Sequence, residues 1–397
     1  MLQDVDSFFD DYCCTFRLVQ MGINNIKGTV KDLNINWINV FTLAKQLSLF
    51  TLVKAGIDLL PKEQQPTPQI LGTFNKEFIT QIVLDSNQLV ELDNIKKVFE
   101  KNKIDILLLK GAFIKSIYPN TYDRYMGDID TFVKSDDYEK SHQLILELGY
   151  TFDTDSTVDR IYMKKPYICL EHHKSIVDNI ESKIGIYFSS IFSRCSLESG
   201  YSHIHIMNKE DMYIYLLAHA IHHFQYAGIA PRIVLDFYVY LEKYKNSLDM
   251  KYIDEKITEF GYTKFNKTIV DLAYKWFSTN GSGLEKGNLL DKFIASCDTF
   301  GTVEHNIGIR TAKLTKNGKP SKIRFLYKLV FPTFNSLKIQ YPILEKYPII
   351  VPLVWVKYLW KKVTNSQTTA YYKNINSNTA DKYQKIIDTL GLNNIDE

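Results

Sequence analysis

Residues 127–133 (GDIDTFV) alternate polar and apolar side chains, and this pattern constrains the fold more than any other segment of the chain. Such alternation predicts a β-strand with one face buried and the other polar. Residues two apart on a strand share a face, so we expect Asp128 and Asp130 to project together. A half-buried strand needs partner strands and a covering layer, which predicts a sheet with helices packed against it.

The neighbouring segments supply the rest of this sheet. An apolar run over 104–109 predicts a buried strand that opens into a turn at Lys110 and Gly111. The predicted elements are a strand over 104–109, a helix over 112–118, the strand over 127–133, a helix over 137–148, and strands over 158–164 and 167–173. This β-α-β-α-β-β order favours an α+β fold built on a small mixed sheet.

Helical patterns dominate on both sides of this core. Helices are predicted over 75–102, 211–226, 231–244 and 252–279, the first of them after a linker that contains three prolines. We therefore predict four regions: a helical region over 1–100, the mixed-sheet core over 101–205, a helical domain over 206–300, and a basic and aromatic region over 301–397. A chain of 397 residues is long enough for two or three domains.

Composition excludes several classes of protein. Apolar residues make up 45% and charged residues 23%, as in ordinary globular proteins, and a net charge of +3 gives no global basic field for nucleic acid. Five cysteines without a regular spacing argue against a disulfide framework or a CxxC zinc site, and favour a reducing compartment. The acidic N-terminus is unlike a signal peptide, and the apolar run over 348–360 is shorter than the roughly 20 residues of a membrane span. We therefore expect a cytoplasmic protein.

The two aspartates predict a divalent metal site. Carboxylates this close repel each other unless a positive charge lies between them, and Mg²⁺ prefers carboxylate and phosphate oxygens. Glu171, on a later predicted strand, could complete a cluster of three acids. The alternative for each acid is a solvated charge at a strand end or edge.

Three further residues suit an anionic ligand beside these acids. Gly111 allows a close backbone approach, Lys110 adds a point charge, and Arg124 can hold a phosphate through two hydrogen bonds. The alternatives are an ordinary turn at Gly111 and a surface ion pair at Arg124.

Several segments, in chain order, resemble the uncharacterised nucleotidyltransferase family of the DNA polymerase β-like superfamily. They are Leu108-Leu109-Lys110-Gly111-Ala112, then Arg124 with Gly127-Asp128-Ile129-Asp130, then Leu148-Gly149-Tyr150, and then Glu171-His172-His173. A later stretch with Glu210, Asp211, His219, His223, Arg232 and Asp236 resembles the helical ED…H…H…R…D pattern of that family. The resemblance covers roughly residues 30–240.

The resemblance implies a nucleotidyltransferase core that works with two metal ions. Its catalytic and metal-binding residues would be Asp128, Asp130 and Glu171, holding Mg²⁺ or Mn²⁺. Its nucleotide-binding residues would be Lys110, Gly111, Ala112, Arg124 and His173. Glu171 could alternatively act as the general base on the acceptor hydroxyl, and His173 could orient Glu171.

The implied reaction moves a nucleoside monophosphate from a nucleoside triphosphate (NTP) to a hydroxyl acceptor and releases pyrophosphate. The acceptor could be a sugar or glycan intermediate, a small metabolite or a protein hydroxyl. Two alternatives stay open. One is a toxin-like transferase that modifies tRNA or protein, and the other is a non-catalytic module that only binds a nucleotide.

His219 and His223 lie four residues apart on a predicted helix and share a face, a spacing also found in zinc enzymes. Ala220 occupies the position of the glutamate in the HExxH motif, which excludes that class of zinc protease. We expect His219, His223 and Asp236 to form a buried hydrogen-bonded group that faces the cleft, with a purely structural role as the alternative.

Residues 305–344 contain eight basic residues and no Asp or Glu. Aromatic residues Trp355, Tyr358 and Trp360 follow. Basic residues together with interfacial aromatics favour contact of 305–360 with an anionic membrane surface, which would place the protein peripherally at the inner membrane. A solvated basic loop is the alternative, and nucleic acid is a weaker candidate because no RNA-binding module is recognisable.

Overall fold

The computed structural model describes residues 5–156, 158–226, 228–284, 288–298, 303–313, 343–364 and 377–393, with positions 332, 334, 337 and 341. Over these residues the chain is a mixed α+β protein in which helices flank one mixed sheet, so the predicted fold class is confirmed. The chain divides into two compact units, one over Met1–Phe224 and Ile229–Phe300, and the other over Gln225–Gly228 and Gly301–Asn394. The four regions drawn from the sequence stay a prediction.

Four helices precede the sheet, as the sequence predicted for this part of the chain. They are α1 (Phe9–Asn24), α2 (Trp37–Gln46), α3 (Phe50–Asp58) and α4 (Pro68–Lys101). The prediction of a helix over 75–102 was wrong about where α4 starts, because Pro68 is the first residue of the helix rather than its breaker. Proline is tolerated there since the N–H that it lacks has no partner in the first turn.

Seven strands form one sheet in the order β3-β4-β5-β2-β1-β7-β6. Their bounds are β1 (Ile106–Leu108), β2 (Ile129–Val133), β3 (Thr151–Asp155), β4 (Asp159–Lys164), β5 (Ile168–His173), β6 (Ser196–Leu197) and β7 (Ile204–Ile206). β2 lies near the middle, antiparallel to β1 and parallel to β5. The alternating segment of the sequence is therefore a central strand.

Helices cover the sheet and complete its core. α5 (Lys110–Ile114) follows β1 directly, α6 (Tyr138–Glu147) follows β2, and α7 (Lys183–Ser189) follows β5. The core between the sheet and helices α4 and α6 is apolar and contains, among others, Phe99, Ile106, Ile129, Ile145 and Leu170. Burial of these side chains fixes which face of β2 points away from the core.

A buried histidine joins the two strands at the centre of this core. His172 on β5 is fully buried, with its Nδ1 2.9 Å from Thr131 Oγ1 on β2 and its Nε2 2.7 Å from Ser141 Oγ on α6. Its ring stacks on Tyr138 at a centroid distance of 5.2 Å. These contacts hold β2, β5 and α6 in one relative position.

Five further helices follow the sheet: α8 (Lys209–Tyr226), α9 (Pro231–Tyr244), α10 (Met250–Glu259), α11 (Thr263–Phe277) and α12 (Leu289–Ala295). The prediction of one helix over 252–279 was wrong, because α10 and α11 are separate. Gly261 lies between them with φ +79°, a left-handed conformation that ends a helix and that glycine adopts without strain.

The second unit contains α13 (Val303–Lys313), α14 (Ile343–Lys346), α15 (Val351–Thr364) and α16 (Ser377–Leu390). Val354 and Tyr358 of α15 are buried in a small apolar cluster with Leu337 and Leu344. Most of the predicted basic stretch over 305–344 lies outside the described residues. None of the helices in the described ranges combines the length and apolar character that a bilayer crossing requires.

Candidate active site

Two neighbouring parallel strands bring Asp130, Glu171 and His173 together. Asp130 on β2 pairs in register with Glu171 on β5, and His173 lies two residues further along β5 on the same face. His173 Nε2 is 3.1 Å from Asp130 Oδ1 and 3.8 Å from Glu171 Oε2. One ligand atom from each of the three residues lies within 4.8 Å of the others, so the group could hold a metal ion.

Asp130 is a fully buried carboxylate whose charge is only partly compensated. Lys110 Nζ lies 3.5 Å from its Oδ1. Burial opposes ionisation, but the Lys110 ammonium and the His173 hydrogen bond outweigh it and lower the pKa of Asp130 to about 2. Among the described residues, Asp130 Oδ2 and His173 Nδ1 are buried without a hydrogen-bond partner. A buried carboxylate oxygen without a donor fits a site for a hard divalent cation.

The remaining two acids respond to this buried negative charge. Burial, followed by Asp128 and Asp130, raises the pKa of Glu171 to about 8. Burial and Asp130 also raise the pKa of Asp128, which directly precedes β2. Asp128 lies outside the group of three that could share one ion, but it is close enough to affect the pKa of Glu171. Three acids that resist joint ionisation are a suitable setting for a divalent cation, whose charge would let them ionise together.

Lys110, Gly111 and Ala112 form the start of α5, immediately after β1. Lys110 Nζ lies between Asp130 and His219, 3.5 Å from Nδ1 of the latter. A Cβ atom at Gly111 would lie 3.1 Å from the Met126 side chain, so glycine permits α5 to pack closely against the segment that leads to Asp128. The predicted contact of these residues with a phosphate stays a prediction.

Arg124 is buried and paired with Asp236 on α9. Its Nη2 donates to Asp236 Oδ2 at 3.0 Å and its Nε to Asp236 Oδ1 at 3.3 Å. Tyr118 donates a further hydrogen bond to Asp236 Oδ1 at 2.7 Å. Both oxygens of Asp236 are therefore occupied, and Nε, Nη1 and Nη2 of Arg124 each donate a hydrogen bond within the fold. Its predicted phosphate contact stays a prediction.

The histidines of α8 form a pair beside Lys110. His219 Nε2 and His223 Nε2 are 2.8 Å apart. Because the ammonium of Lys110 can only donate, Nδ1 of His219 must accept, so Nε2 of His219 carries the proton and donates to His223. Burial lowers the pKa of His223 to about 3, which agrees with neutral rings. Asp236, expected in the same group, instead binds Arg124 and Tyr118.

Sequence reasoning missed Tyr118, and it named Arg232 only as part of the helical pattern without predicting its contact. Tyr118 and Arg232 both contact the Arg124 neighbourhood, the first through Asp236 and the second through the backbone carbonyl of Tyr125. Tyr118 and Asp236 lie on distant parts of the chain, and no local pattern indicates that they meet. His173 was predicted to touch phosphate or to orient Glu171, whereas its position also makes it a candidate metal ligand.

Comparison with known proteins agrees with this arrangement. The model of the family described as "Uncharacterised nucleotidyltransferase" matches residues 34–278, well over half of the chain. No curated protein and no solved structure shows a significant match. The matched residues include the whole sheet and helices α8 and α9, which carry the residues described above. The chain therefore belongs to the uncharacterised nucleotidyltransferase family.

Proposed function

We propose that the protein is a Mg²⁺-dependent nucleotidyltransferase that moves a nucleoside monophosphate from an NTP to a hydroxyl acceptor and releases pyrophosphate. The observation that carries this proposal is the group of Asp130, Glu171 and His173, in which Asp130 Oδ2 is buried without a donor among the described residues. Membership of the family supports the reaction class. Mn²⁺ would serve the same ligands as Mg²⁺.

The metal ligands would be Asp130 and Glu171, with Asp128 and His173 beside them. A divalent cation bound there would withdraw electrons from the α-phosphate and lower the pKa of the attacking hydroxyl. In the reaction the acceptor oxygen bonds to the α-phosphorus, and the bond from that phosphorus to the bridging oxygen breaks. The electron pair leaves with pyrophosphate.

Residues around the acids would position the nucleotide and manage its charge. Lys110 supplies a fixed ammonium beside Asp130, where the phosphates would meet the metal ligands. Gly111 and Ala112 would let the triphosphate approach the backbone at the start of α5. As an alternative to binding the metal, Glu171 would take the proton from the acceptor hydroxyl, a role that suits a carboxyl whose pKa burial and the neighbouring acids raise to about 8.

The experiment is an assay with α-³²P-labelled NTPs and Mg²⁺, in which labelled lipid, glycan, RNA and protein are separated after incubation with lysate. We expect label in a sugar or glycan fraction and release of pyrophosphate. Label in tRNA or protein would favour the toxin-like alternative. Nucleotide binding without pyrophosphate release would favour a non-catalytic binding module. Full turnover in the Asp128→Asn/Asp130→Asn double variant would refute the site.

We also propose that the acceptor is met at an anionic membrane surface. α15 supports this, because Leu353 and Trp360 are 73% and 74% exposed although the opposite face of the helix is buried. The helix carries three lysines and no acid, which suits an anionic bilayer. Flotation with vesicles that contain an anionic lipid tests the proposal. We expect binding that salt weakens and that Leu353→Ser/Trp360→Ser removes, and equal recovery of this variant and the wild type would contradict it.

A further inference from the structure

Two arginines from distant parts of the chain meet at one backbone carbonyl. Arg124 Nη1 donates to the carbonyl oxygen of Tyr125 at 3.2 Å, and Arg232 Nη1 donates to the same oxygen at 2.9 Å. Arg124 lies in the loop before β2, and Arg232 lies in the first turn of α9. Two guanidinium groups are thus held at one carbonyl group, that of Tyr125, which lies three residues before Asp128 in the chain.

The charge of Arg124 is neutralised within the fold. Asp236 accepts two hydrogen bonds from its guanidinium, and the pair is almost fully buried. A planar guanidinium and a carboxylate match each other in this two-point arrangement, which is strong and geometrically specific. Arg124 and Asp236 together therefore carry no net charge toward a ligand.

The charge of Arg232 has no such partner. Within the described ranges, no carboxylate lies within 4.0 Å of its guanidinium nitrogens, and its Nε is buried without a hydrogen-bond partner. Arg232 is half-buried, whereas Arg124 is only 5% exposed. Burial and the nearby Arg124 lower the pKa of Arg232, and the acids Asp236 and Asp128 only partly oppose this shift. Partly buried charges of this kind are normally paired, and an unpaired one costs stability.

The position of Arg232 connects this unpaired charge to the candidate active site. Its Nη1 binds the carbonyl oxygen of Tyr125, in the segment that leads directly to Asp128 and β2. Lys110 lies against Asp130 at the same end of β2. Two cations therefore lie near the acidic group. Lys110 already contacts Asp130, whereas Nε of Arg232 has no hydrogen-bond partner among the described residues.

We propose that Arg232 binds the phosphate groups of the triphosphate substrate and of the pyrophosphate product. This assignment rests on the proposed function and deepens it, because it places the anionic tail of the nucleotide between Lys110 and α9. The guanidinium would donate through its Nε and a terminal nitrogen to two oxygens of one phosphate, the geometry in which arginine exceeds lysine. The unpaired charge would be neutralised only when the ligand is present.

The experiment measures the binding of inorganic tripolyphosphate by calorimetry, with EDTA and with Mg²⁺, together with the melting temperature of each variant. The variant Arg232→Gln removes the unpaired guanidinium. Arg17→Gln serves as a matched control, because Arg17 pairs with Asp32 on the surface, away from the sheet. We expect Arg232→Gln to bind tripolyphosphate about ten- to a hundredfold more weakly than the wild type, and Arg17→Gln to bind it equally well.

The melting temperature separates a ligand contact from a structural one. Arg232 has no carboxylate partner, and its one hydrogen bond, to the carbonyl of Tyr125, is an exposed contact, so Arg232→Gln should melt close to the wild-type temperature in the absence of ligand. Wild-type affinity in Arg232→Gln would overturn the proposal, and so would the absence of any tripolyphosphate binding by the wild type. Failure of Arg232→Gln to fold would also overturn it, because the guanidinium would then have a structural role.

The same variants separate this proposal from the proposed reaction. If Arg232→Gln loses tripolyphosphate binding while the wild type transfers no nucleotide, the proposed phosphate contact of Arg232 is supported and the proposed reaction is refuted. If the wild type transfers nucleotide and Arg232→Gln does so with an unchanged KM for NTP, the proposed reaction is supported and the proposed phosphate contact of Arg232 is refuted.

Discussion

Asp130 on β2 and Glu171 on β5 are paired residues of two adjacent parallel strands. Adjacent strands lie about 4.8 Å apart, so the backbone alone brings the two carboxylates together on the polar face. His173 follows two residues later and donates from Nε2 to Asp130. The geometry of this group thus depends on sheet pairing and not on a loop that must close.

Asp130→Asn tests the metal site with little change in shape. We expect the affinity for Mn²⁺ to fall by more than about 100-fold, since loss of even an outer partner of a metal ligand costs about 10- to 100-fold. Calorimetry and the electron paramagnetic resonance of Mn²⁺ measure the affinity, and circular dichroism checks the fold. Asp136→Asn, at an exposed position just beyond β2, is the matched control. Equal Mn²⁺ binding by Asp130→Asn and the wild type would exclude Asp130 as a ligand.

Gly111→Ala tests whether a phosphate approaches the start of α5. The added Cβ would lie 3.1 Å from the flexible Met126 side chain and 3.5 Å, an ordinary contact distance, from the carbonyl oxygen of Asp128, so we expect stability to change by less than about 1 kcal/mol. NTP affinity should fall about ten- to a hundredfold if the backbone contacts the triphosphate. Gly72→Ala in α4 is the control, because its Cβ would meet no atom within 4 Å beyond the neighbouring backbone of its own helix. Unchanged NTP affinity in Gly111→Ala would make Gly111 a packing glycine only.

Lys115 and Asp85 form a buried ion pair behind the loop that carries Arg124. Lys115 is 1% exposed and Asp85 7% exposed, and Thr121 donates a further hydrogen bond to Asp85 at 2.6 Å. Lys115→Met should lower the free energy of unfolding by about 3–5 kcal/mol, because it leaves Asp85 buried without its cation. Lys115→Met/Asp85→Leu should recover most of the loss. Urea unfolding measures both, and a single variant within about 1 kcal/mol of wild type would contradict the prediction.

Asp105 precedes β1, at the end of that strand opposite Lys110. Its contacts there predict that the stability of the protein depends on pH. Burial opposes ionisation of Asp105, but hydrogen bonds from His203 and Lys134, together with His205 at 3.3 Å, lower its pKa to about 2. A carboxyl with a lowered folded-state pKa stabilises the protein above its unfolded value near 4 and loses that contribution as the pH falls toward 2. Asp105→Asn should therefore cost about 1 kcal/mol at pH 7 and progressively less between pH 5 and pH 3.

Urea titrations of the wild type and Asp105→Asn at pH 7, 5, 4 and 3 measure this difference. Asp136→Asn, whose carboxylate is exposed, is the control and should leave the stability curve unchanged. A difference between Asp105→Asn and wild type that stays constant from pH 7 to pH 3 would show that the carboxylate charge contributes nothing.

The strands with a clear pattern were predictable from sequence, and those without one were not. Alternation located β2, and the neighbouring runs located β4 and β5 within a residue or two. β3 (Thr151–Asp155) is exposed along its whole length, so its sequence lacks the alternation that a buried face would produce. β7 is three residues long and pairs with β1 from nearly a hundred residues away. No local signal encodes such a contact.

The candidate site divides in the same way. The shared face of Glu171 and His173 follows from strand periodicity, and their contact with Asp130 follows once the two strands are neighbours. The pairing of Arg124 with Asp236 was not predictable, because it requires α9 to pack beside the loop before β2. That Arg232 lacks a carboxylate partner among the described residues can be recognised only once the structure shows that Asp236 binds Arg124.

The parallel pairing of β2 with β5 has a consequence for synthesis of the chain. Asp130 leaves the ribosome well before Glu171, and β2 alone does not supply the complete group of ligands that would bind an ion. Affinity for a divalent cation should therefore arise only when β5 has been made and inserted beside β2. Cation binding by nascent chains of increasing length would report when this part of the sheet assembles.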